Sequence, residues 1–460
     1  MATVHEEQNV FSESVVISDF PFAKRYDKWV DAYCKCYPFS GSICITKGED
    51  VVYRRNIGLA NRELNVPIDD NTRFRFYSLT KPFTALGLLR LYEQGKVSLE
   101  AHPGKYLPEA TWLHPDITVR MLLDHSHGLP DFSRSGNHAV LSVKYPVSDR
   151  EMLDSIREIP MDFDPGTACN YTNTGFYLAS MIIEAVSGLS FRDYMEKEVF
   201  APLGMKTAAI DSAYRLISNR ASGYDIDGDE IIAAPYLCAD WMKGAGAAIG
   251  TVDDVYKLHV AAREKKFLKP ETWDLVFTPN QGDFGLGCSV LEWHDKVRYQ
   301  HNGGHLGFRT LHIQLPKDDF GIILLSNMGF GNARYAFSEA AYQLYYEAQD
   351  VQSSVIEMDK GFAISGVVAS SVLEPQRPEY VPCDLDAYVG TYMNDVNSIT
   401  VVLATVNGVP GLCATYKNGR RLNMYSYGPD EFYNGTIDES YAFLKDENGK
   451  YFFLGMEKQE

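Results

Sequence analysis

Phe22, Tyr26, Trp29, Val30 and Tyr33 fall on one side of a helical wheel and predict a first helix over 22–37. The pattern then shortens to β-rich runs over 42–46 and 51–57. Lys47-Gly48-Glu49-Asp50 separates them, which predicts a hairpin closed by Gly58. From 78 to about 240 the spacing is largely helical. An apolar helix over 176–187 stops at Gly188, and another over 190–199 is stopped by Pro202 and Gly204. Strand patterns return over 284–291, 298–301, 310–315 and 321–326, and a helix follows over 333–348. Strands at both ends with helices between them predict one antiparallel sheet closed by distant chain segments, carrying an inserted helical region.

Residues 351–378 show no period, and Pro375 and Pro378 punctuate their end, so they read as a linker. Beyond them, Asn-Gly dipeptides at 407, 418, 434 and 448 alternate with short runs over 400–406, 412–416, 422–427, 441–445 and 451–454. Asn-Gly marks tight hairpins because both residues tolerate positive φ. The expected fold class is therefore α/β: an antiparallel sheet flanked by helices with an inserted all-helical region, then a small all-β barrel. The expected divisions are 1–350, a linker over 351–378, and 379–460. No internal repeat or low-complexity segment interrupts them.

Composition narrows the picture. The 460 residues suit two or three domains, and 45 % hydrophobic with 23 % charged residues is ordinary for a globular protein. A net charge of −18 argues against partners that need basic patches, namely nucleic acid and anionic membrane surfaces. No apolar run approaches the ~18 residues of a membrane span. Residues 1–14 hold Glu6, Glu7 and Glu13 and no apolar stretch, so no secretory signal is read and a cytoplasmic location is expected. The eight scattered cysteines are expected to be free thiols. Cys34 and Cys36, two apart in a helix, point to different faces and make a poor metal pair.

The chemistry starts at Ser78-Leu-Thr-Lys81, at the head of an apolar helical run with Pro82 in its first turn. Lys81 lies one turn from Ser78 and on the same side. A serine hydroxyl needs an adjacent base, and a lysine with a lowered pKa can serve. Three further stretches bear on this pair. In 164–175, Tyr171 offers a phenol that is held as phenolate or passes a proton. Asn173 offers an amide to orient Lys81 or to bind a substrate carbonyl; alternatively, this is a polar loop with Asn173 or Thr174 as helix cap. In 299–308, a strand ends in glycines that let backbone approach a ligand, and His301 can donate near neutral pH; the plainer reading is a glycine-rich turn. In 122–130, His125 and His127 lack a third ligand at fitting spacing, so a packed loop is preferred to a metal site. Two other segments read as structure. The acidic 225–230 stretch departs from a calcium loop and is taken as a hairpin turn at Asp227-Gly228. The small-residue 244–250 stretch is a loop without the Lys-Ser/Thr of a phosphate site, followed by a capping box at Thr251 and Asp254.

Ser78-x-x-Lys81, Tyr171-x-Asn173 and His301-x-Gly303 resemble, in order and rough spacing, the three motifs of the serine penicillin-recognising family of class C β-lactamases, DD-peptidases, D-aminopeptidases and related esterases. Gly58 to Glu63, 122–130, Pro165-Gly-Thr, 202–205 and 244–254 resemble its flanks, so the likeness covers roughly 25–345. The 385–392 segment resembles the start of the lipocalin-like domain that follows the catalytic domain in some members. The resemblance implies a β-lactamase/transpeptidase-like fold with no cofactor or metal. It implies an acyl-enzyme at Ser78, with Lys81 and Tyr171 sharing the proton. The N–H groups of Ser78 and Gly304 would form an oxyanion hole, and Asn173, His301 and Gly303 would lie on the substrate side. His301 stands where many β-lactamases carry lysine. His127 stands where relatives usually have a small hydroxyl residue, and it either narrows the cleft or packs elsewhere. The expected function is a serine hydrolase acting on a small amide or ester, such as a D-amino-acid peptide. A true β-lactamase or DD-carboxypeptidase, an acyltransferase or peptide cyclase, and a non-catalytic binding protein are the alternatives. The last predicts a lost motif residue, and none is lost. The expected partner is a small-molecule or peptide substrate, with oligomerisation left open and the barrel as an internal lid.

Overall fold

The computed structural model describes residues 11–17, 21–134, 146–236, 238–346, 377–394, 397–446 and 449–459. Strands β1 (Phe11–Ile17), β2 (Gly41–Lys47), β3 (Asp50–Ile57), β4 (Ser289–Trp293), β5 (Lys296–His305), β6 (Phe308–Leu315) and β7 (Phe320–Ser326) form a seven-stranded sheet in the order β1-β3-β2-β7-β6-β5-β4. Every pairing is antiparallel. The closure by distant segments falls between β2 and β7, where Ile43 lies opposite Leu324.

Helices α1 (Pro21–Cys36), α2 (Lys81–Glu93), α3 (Thr174–Ser187), α4 (Val252–Glu264) and α5 (Ala333–Tyr346) cover the two faces. Ile322 and Leu324 of β7 enter the core under α1 and α5, while Ile323 and Leu325 enter the core of the helical insert. A strand buried on both faces needs no polar alternation, which is why β7 reads as a continuous apolar run. Under α1 and α5 the filling is aromatic, with Trp29 edge-on to Phe337 at 5.3 Å between centroids. Helix α3 ends on Gly188 in the left-handed region, and Thr251 and Asp254 form the expected capping box.

Three local expectations need correcting. Strand pairing begins at Ser289 rather than 284, because Gly285 folds back to hydrogen-bond the Cys288 carbonyl. The 244–250 stretch is not a loop. It makes a helical turn, Lys243–Gly246, and then a strand, Ala248–Gly250, between Phe74–Arg75 and Ala209–Ile210. The acidic hairpin pairs Asp227 with Glu230, so its turn is Gly228-Asp229, one residue later than expected.

Eight strands, from Gly390–Met393 to Met456–Lys458, close the C-terminal barrel. Asn407-Gly408 makes the expected two-residue turn between Val406 and Val409. Asn448 and residues 351–376 of the expected linker lie outside the described residues. The barrel is filled by side chains: Phe443 stacks on Phe453 at 4.4 Å, with Tyr392 and Phe432 beside them. It also shares its packing with the first part of the chain. Met328 and Phe330 join the barrel's core, and Tyr425 and Tyr433 join the core under α1 and α5. There Tyr33 and Tyr433 donate to the two oxygens of Asp438 at 3.1 and 2.8 Å, and burial pushes that carboxyl up to about 6.

Candidate active site

Ser78 lies in a 3-10 turn, Tyr77–Thr80, that runs directly into α2. Tyr77 before it has φ of 47°, a conformation that costs a bulky residue free energy and is held by its surroundings. Those surroundings are the backbone bonds Phe76 N–H to the Ala248 carbonyl at 2.8 Å and Leu79 N–H to the Phe76 carbonyl at 3.2 Å, and a 3.0 Å bond from the Thr310 hydroxyl to the Phe76 carbonyl. Lys81 opens α2 and has no exposed surface. Its Nζ lies 3.0 Å from Ser78 Oγ, 2.8 Å from Asn173 Oδ1 and 2.9 Å from the Ala245 carbonyl. The last two can only accept, so a neutral amine spends both hydrogens on them and turns its lone pair to the serine hydroxyl. Burial supplies that neutral amine: it lowers the Lys81 pKa to about 7, against the opposing pull of Asp131.

Asp131 fixes the geometry. Its Oδ2 accepts from Asn173 N–H at 2.7 Å and from Asn173 Nδ2 at 3.0 Å, while Oδ1 accepts from Ser133 N–H at 2.9 Å. Asn173 precedes α3 in the cap position, yet its side chain caps nothing. Both ends of its amide are bonded within the protein, so the structure favours orientation of Lys81 over substrate contact. The Tyr171 hydroxyl is near enough to Ser78 for that serine to favour its ionised form slightly, and its ring centroid lies 4.7 Å from Lys81 Nζ. Burial raises its pKa above the ordinary phenol value. The phenolate expected as one option is thereby disfavoured, and Tyr171 stands as a protonated phenol able to hand on a proton.

The third motif lies on β5. A Cβ on Gly303 would stand 2.0 Å from the Phe76 carbonyl, so glycine here lets the strand press against the nucleophile's turn. That is a spacing role, set by the packing of the strand on the turn. Strand β4 pairs only as far as Gln300, which leaves the outer edge of His301–Asn302–Gly303–Gly304–His305 without a paired strand among the described residues. His301 is buried, bonds the Asn302 carbonyl through Nδ1 at 2.7 Å, and has its pKa lowered to about 3 by burial and by Lys81. It is a neutral imidazole, not a substitute for an ammonium.

The two histidines of 122–130 pack, as preferred. His127 is fully buried; its Nδ1 accepts from Leu129 N–H at 2.8 Å, so Nε2 carries the hydrogen toward Thr172 Oγ1 at 3.2 Å. His125 Nδ1 accepts from Thr172 N–H at 3.3 Å, and its ring lies 4.7 Å from that of Tyr171. Together they pin the loop that presents Tyr171 and Asn173. No group of three His, Cys, Asp or Glu among the described residues is placed to hold a metal. Sequence reasoning missed Asp131 and the Ala245 carbonyl. Asp131 directly follows the Leu122–Pro130 stretch, but a single carboxylate after a proline carries no motif. A backbone carbonyl carries no sequence signal at all.

The chain belongs to the Beta-lactamase family, whose profile matches residues 37–346. It is an enzyme of the serine hydrolase type that this family comprises. A penicillin-binding protein of Bacillus subtilis (strain 168) is 29 % identical over 315 residues, covering 63 % of this chain and 68 % of that protein. The D-aminopeptidase of Gluconobacter oxydans (strain 621H) is 25 % identical over 316 residues, 66 % of this chain and 59 % of that one. Among solved structures, the octameric penicillin-binding protein homologue from Pyrococcus abyssi superposes with a TM-score of 0.62 at 21 % identity, covering 95 % of this chain and 99 % of that chain. Among the described residues no single helix is long and apolar enough to cross a membrane.

Proposed function

We propose that Ser78 attacks the carbonyl of a small amide or ester, such as a D-amino-acid peptide, to form an acyl-enzyme that water resolves. The observation that carries this reading is the three-way hold on Lys81 Nζ, which aims a neutral amine at Ser78 Oγ. Lys81 takes the hydroxyl proton as the Oγ–carbon bond forms. Tyr171, beside Ser78 and Lys81, passes a proton to the leaving nitrogen or oxygen as its bond to carbon breaks, and is reprotonated from Lys81. The N–H groups of Ser78 and Gly304 receive the oxyanion, each worth roughly 3–4 kcal/mol if this site behaves like a protease oxyanion hole. In the second half, water attacks the acyl carbon and gives a proton to the same pair, which returns it to Ser78 Oγ as the acyl–oxygen bond breaks.

The neutral state of His301 supports the choice of substrate. A carboxylate bound beside β5, as a penicillin or a DD-peptide would present, meets no cation from the side chain of residue 301. The similarity to a D-aminopeptidase points the same way. The test is a turnover panel of nitrocefin, short-chain nitrophenyl esters and D-amino-acid amides. Ester or amide turnover should dominate; nitrocefin turned over faster than both would overturn the substrate assignment.

A further inference from the structure

The acidic hairpin Tyr224–Asp227 and Glu230–Ala233 has no part in the chemistry above, yet it is gripped from both sides. On one side is the barrel. Arg420 embraces the Asp225 carboxylate with both terminal nitrogens, Nη1 to Oδ2 at 2.9 Å, and donates Nε to the Ile226 carbonyl at 2.8 Å. Arg421 grips Asp227 side-on, with Nη2 to Oδ2 at 2.9 Å and Nε to Oδ1 at 3.1 Å. Asp229 takes Asn423 Nδ2 and the Thr436 hydroxyl at 2.9 and 2.8 Å. Every second residue of the acidic run thus meets a donor from the barrel. A forked guanidinium against a carboxylate fixes direction as well as distance. Asp225 is the buried member, with 8 % of its side chain exposed, so this pair is shielded more than a surface bridge.

On the other side the base of the hairpin meets the turn between β5 and β6. A Cβ on Gly307 would stand 2.6 Å from Gly223 and 2.7 Å from the Ala234 Cβ, so hairpin base and turn are in direct contact. The Ala234 N–H to Gly223 carbonyl bond, 2.9 Å, closes that base. The turn follows Gly303 and Gly304 by three residues. It also reaches the nucleophile: the Tyr77 hydroxyl lies 3.5 Å from the Leu306 carbonyl, and the Tyr77 ring lies 5.6 Å from that of His305. A continuous path of contacts therefore runs from Arg420 through Asp225 and the hairpin base to the turn, and from there to Gly304 and Tyr77.

We propose that this hairpin is a clasp by which the C-terminal barrel positions the β5–β6 turn, with Arg420 and Asp225 as positioning residues for the oxyanion strand. The inference rests on the reading of Ser78 and Gly304 given above. It replaces the barrel as a lid over the cleft with the barrel as a brace behind it. Small displacements of a catalytic group are costly in rate, so a loosened turn should lower turnover more than binding.

The test uses the full chain with Arg420→Ala, and the reversed pair Asp225→Arg with Arg420→Asp. Arg420→Ala should slow fluorophosphonate labelling and kcat for a nitrophenyl ester by about tenfold or more, with KM altered by less than ~3-fold. Hydrogen exchange of the 302–308 peptide should quicken in step, and the reversed pair should recover part of both. Wild-type labelling rate and wild-type exchange in folded Arg420→Ala would overturn the clasp. If Arg420→Ala does not fold, Asp229→Asn, which weakens only the tip, should show the same direction with smaller size; no change there overturns it equally. Absence of label on Ser78 in the unaltered protein would instead defeat the functional reading, and the exchange measurement then still decides the clasp.

Discussion

The two faces of β6 are equally buried and do different things. Leu311, Ile313 and Leu315 sink into the core under α1 and α5. Thr310, His312 and Gln314 alternate with them on the other face, no more exposed than a few per cent. Thr310 holds the Phe76 carbonyl beside the nucleophile, and His312 bonds His259 at 3.1 Å, which in turn reaches Thr46. Burying polar groups costs free energy that hydrogen-bond partners offset, and Thr310 and His312 have theirs. One face of the strand packs, and the other fixes the frame from which Ser78 and Lys81 project. Substitutions on the two faces should therefore separate stability from rate.

The largest rate effect is expected at Tyr171. Tyr171→Phe keeps the ring against His125 and removes the proton carrier. Acylation by a nitrophenyl ester should fall by a factor on the order of 10²–10⁴ in stopped-flow or steady-state assay, and an unchanged rate would remove Tyr171 from the mechanism. On the packing face, Leu311→Ala should cost ~2–5 kcal/mol of stability in denaturant titration while kcat stays within about twofold. A matching loss of kcat in the folded variant would erase the distinction between the faces.

Asp131→Asn addresses the electrostatics of the site. Lys81 acts as base only when deprotonated, so activity should rise with pH through a midpoint near its pKa of about 7. The Asp131 carboxylate favours the ammonium and raises that pKa. Its removal should lower the pKa and move the ascending limb of the kcat/KM profile to lower pH. A limb displaced to higher pH, or unmoved, would contradict the assignment of Lys81. The smallest effect is expected at His301. With its pKa already near 3, it carries no charge in the working range. With Nδ1–H spent on the Asn302 carbonyl, Nε2 of the neutral ring offers an acceptor that a glutamine amide oxygen can replace, so His301→Gln should keep activity within roughly threefold and leave the shape of the pH profile unchanged.

The nucleophile and its partners were legible because short-range chemistry wrote them into short motifs. Ser78 and Lys81 share one helical turn, and Tyr171 and Asn173 share one loop, so their spacing survives without knowledge of the fold. Asp131 and the Ala245 carbonyl were invisible because they reach Asn173 and Lys81 only through tertiary packing. Gly303 was legible as a glycine of close approach, but its neighbour, the Phe76 carbonyl, is set by tertiary packing and was not. The sheet was recovered from its apolar runs, and the barrel from its Asn-Gly turns. Short strands such as Gly390–Met393, Glu431–Asn434 and Met456–Lys458 were missed because a few residues cannot establish a period.

The central claim is that Ser78 is acylated with a neutral Lys81 as its base. It is tested most directly by trapping with a fluorophosphonate across pH and locating the adduct by peptide mass spectrometry. The account predicts one adduct, on Ser78, forming faster as pH rises through about 7 and lost in both Ser78→Ala and Lys81→Met. An adduct on another residue, or labelling of Ser78 that is undiminished in Lys81→Met, would contradict it.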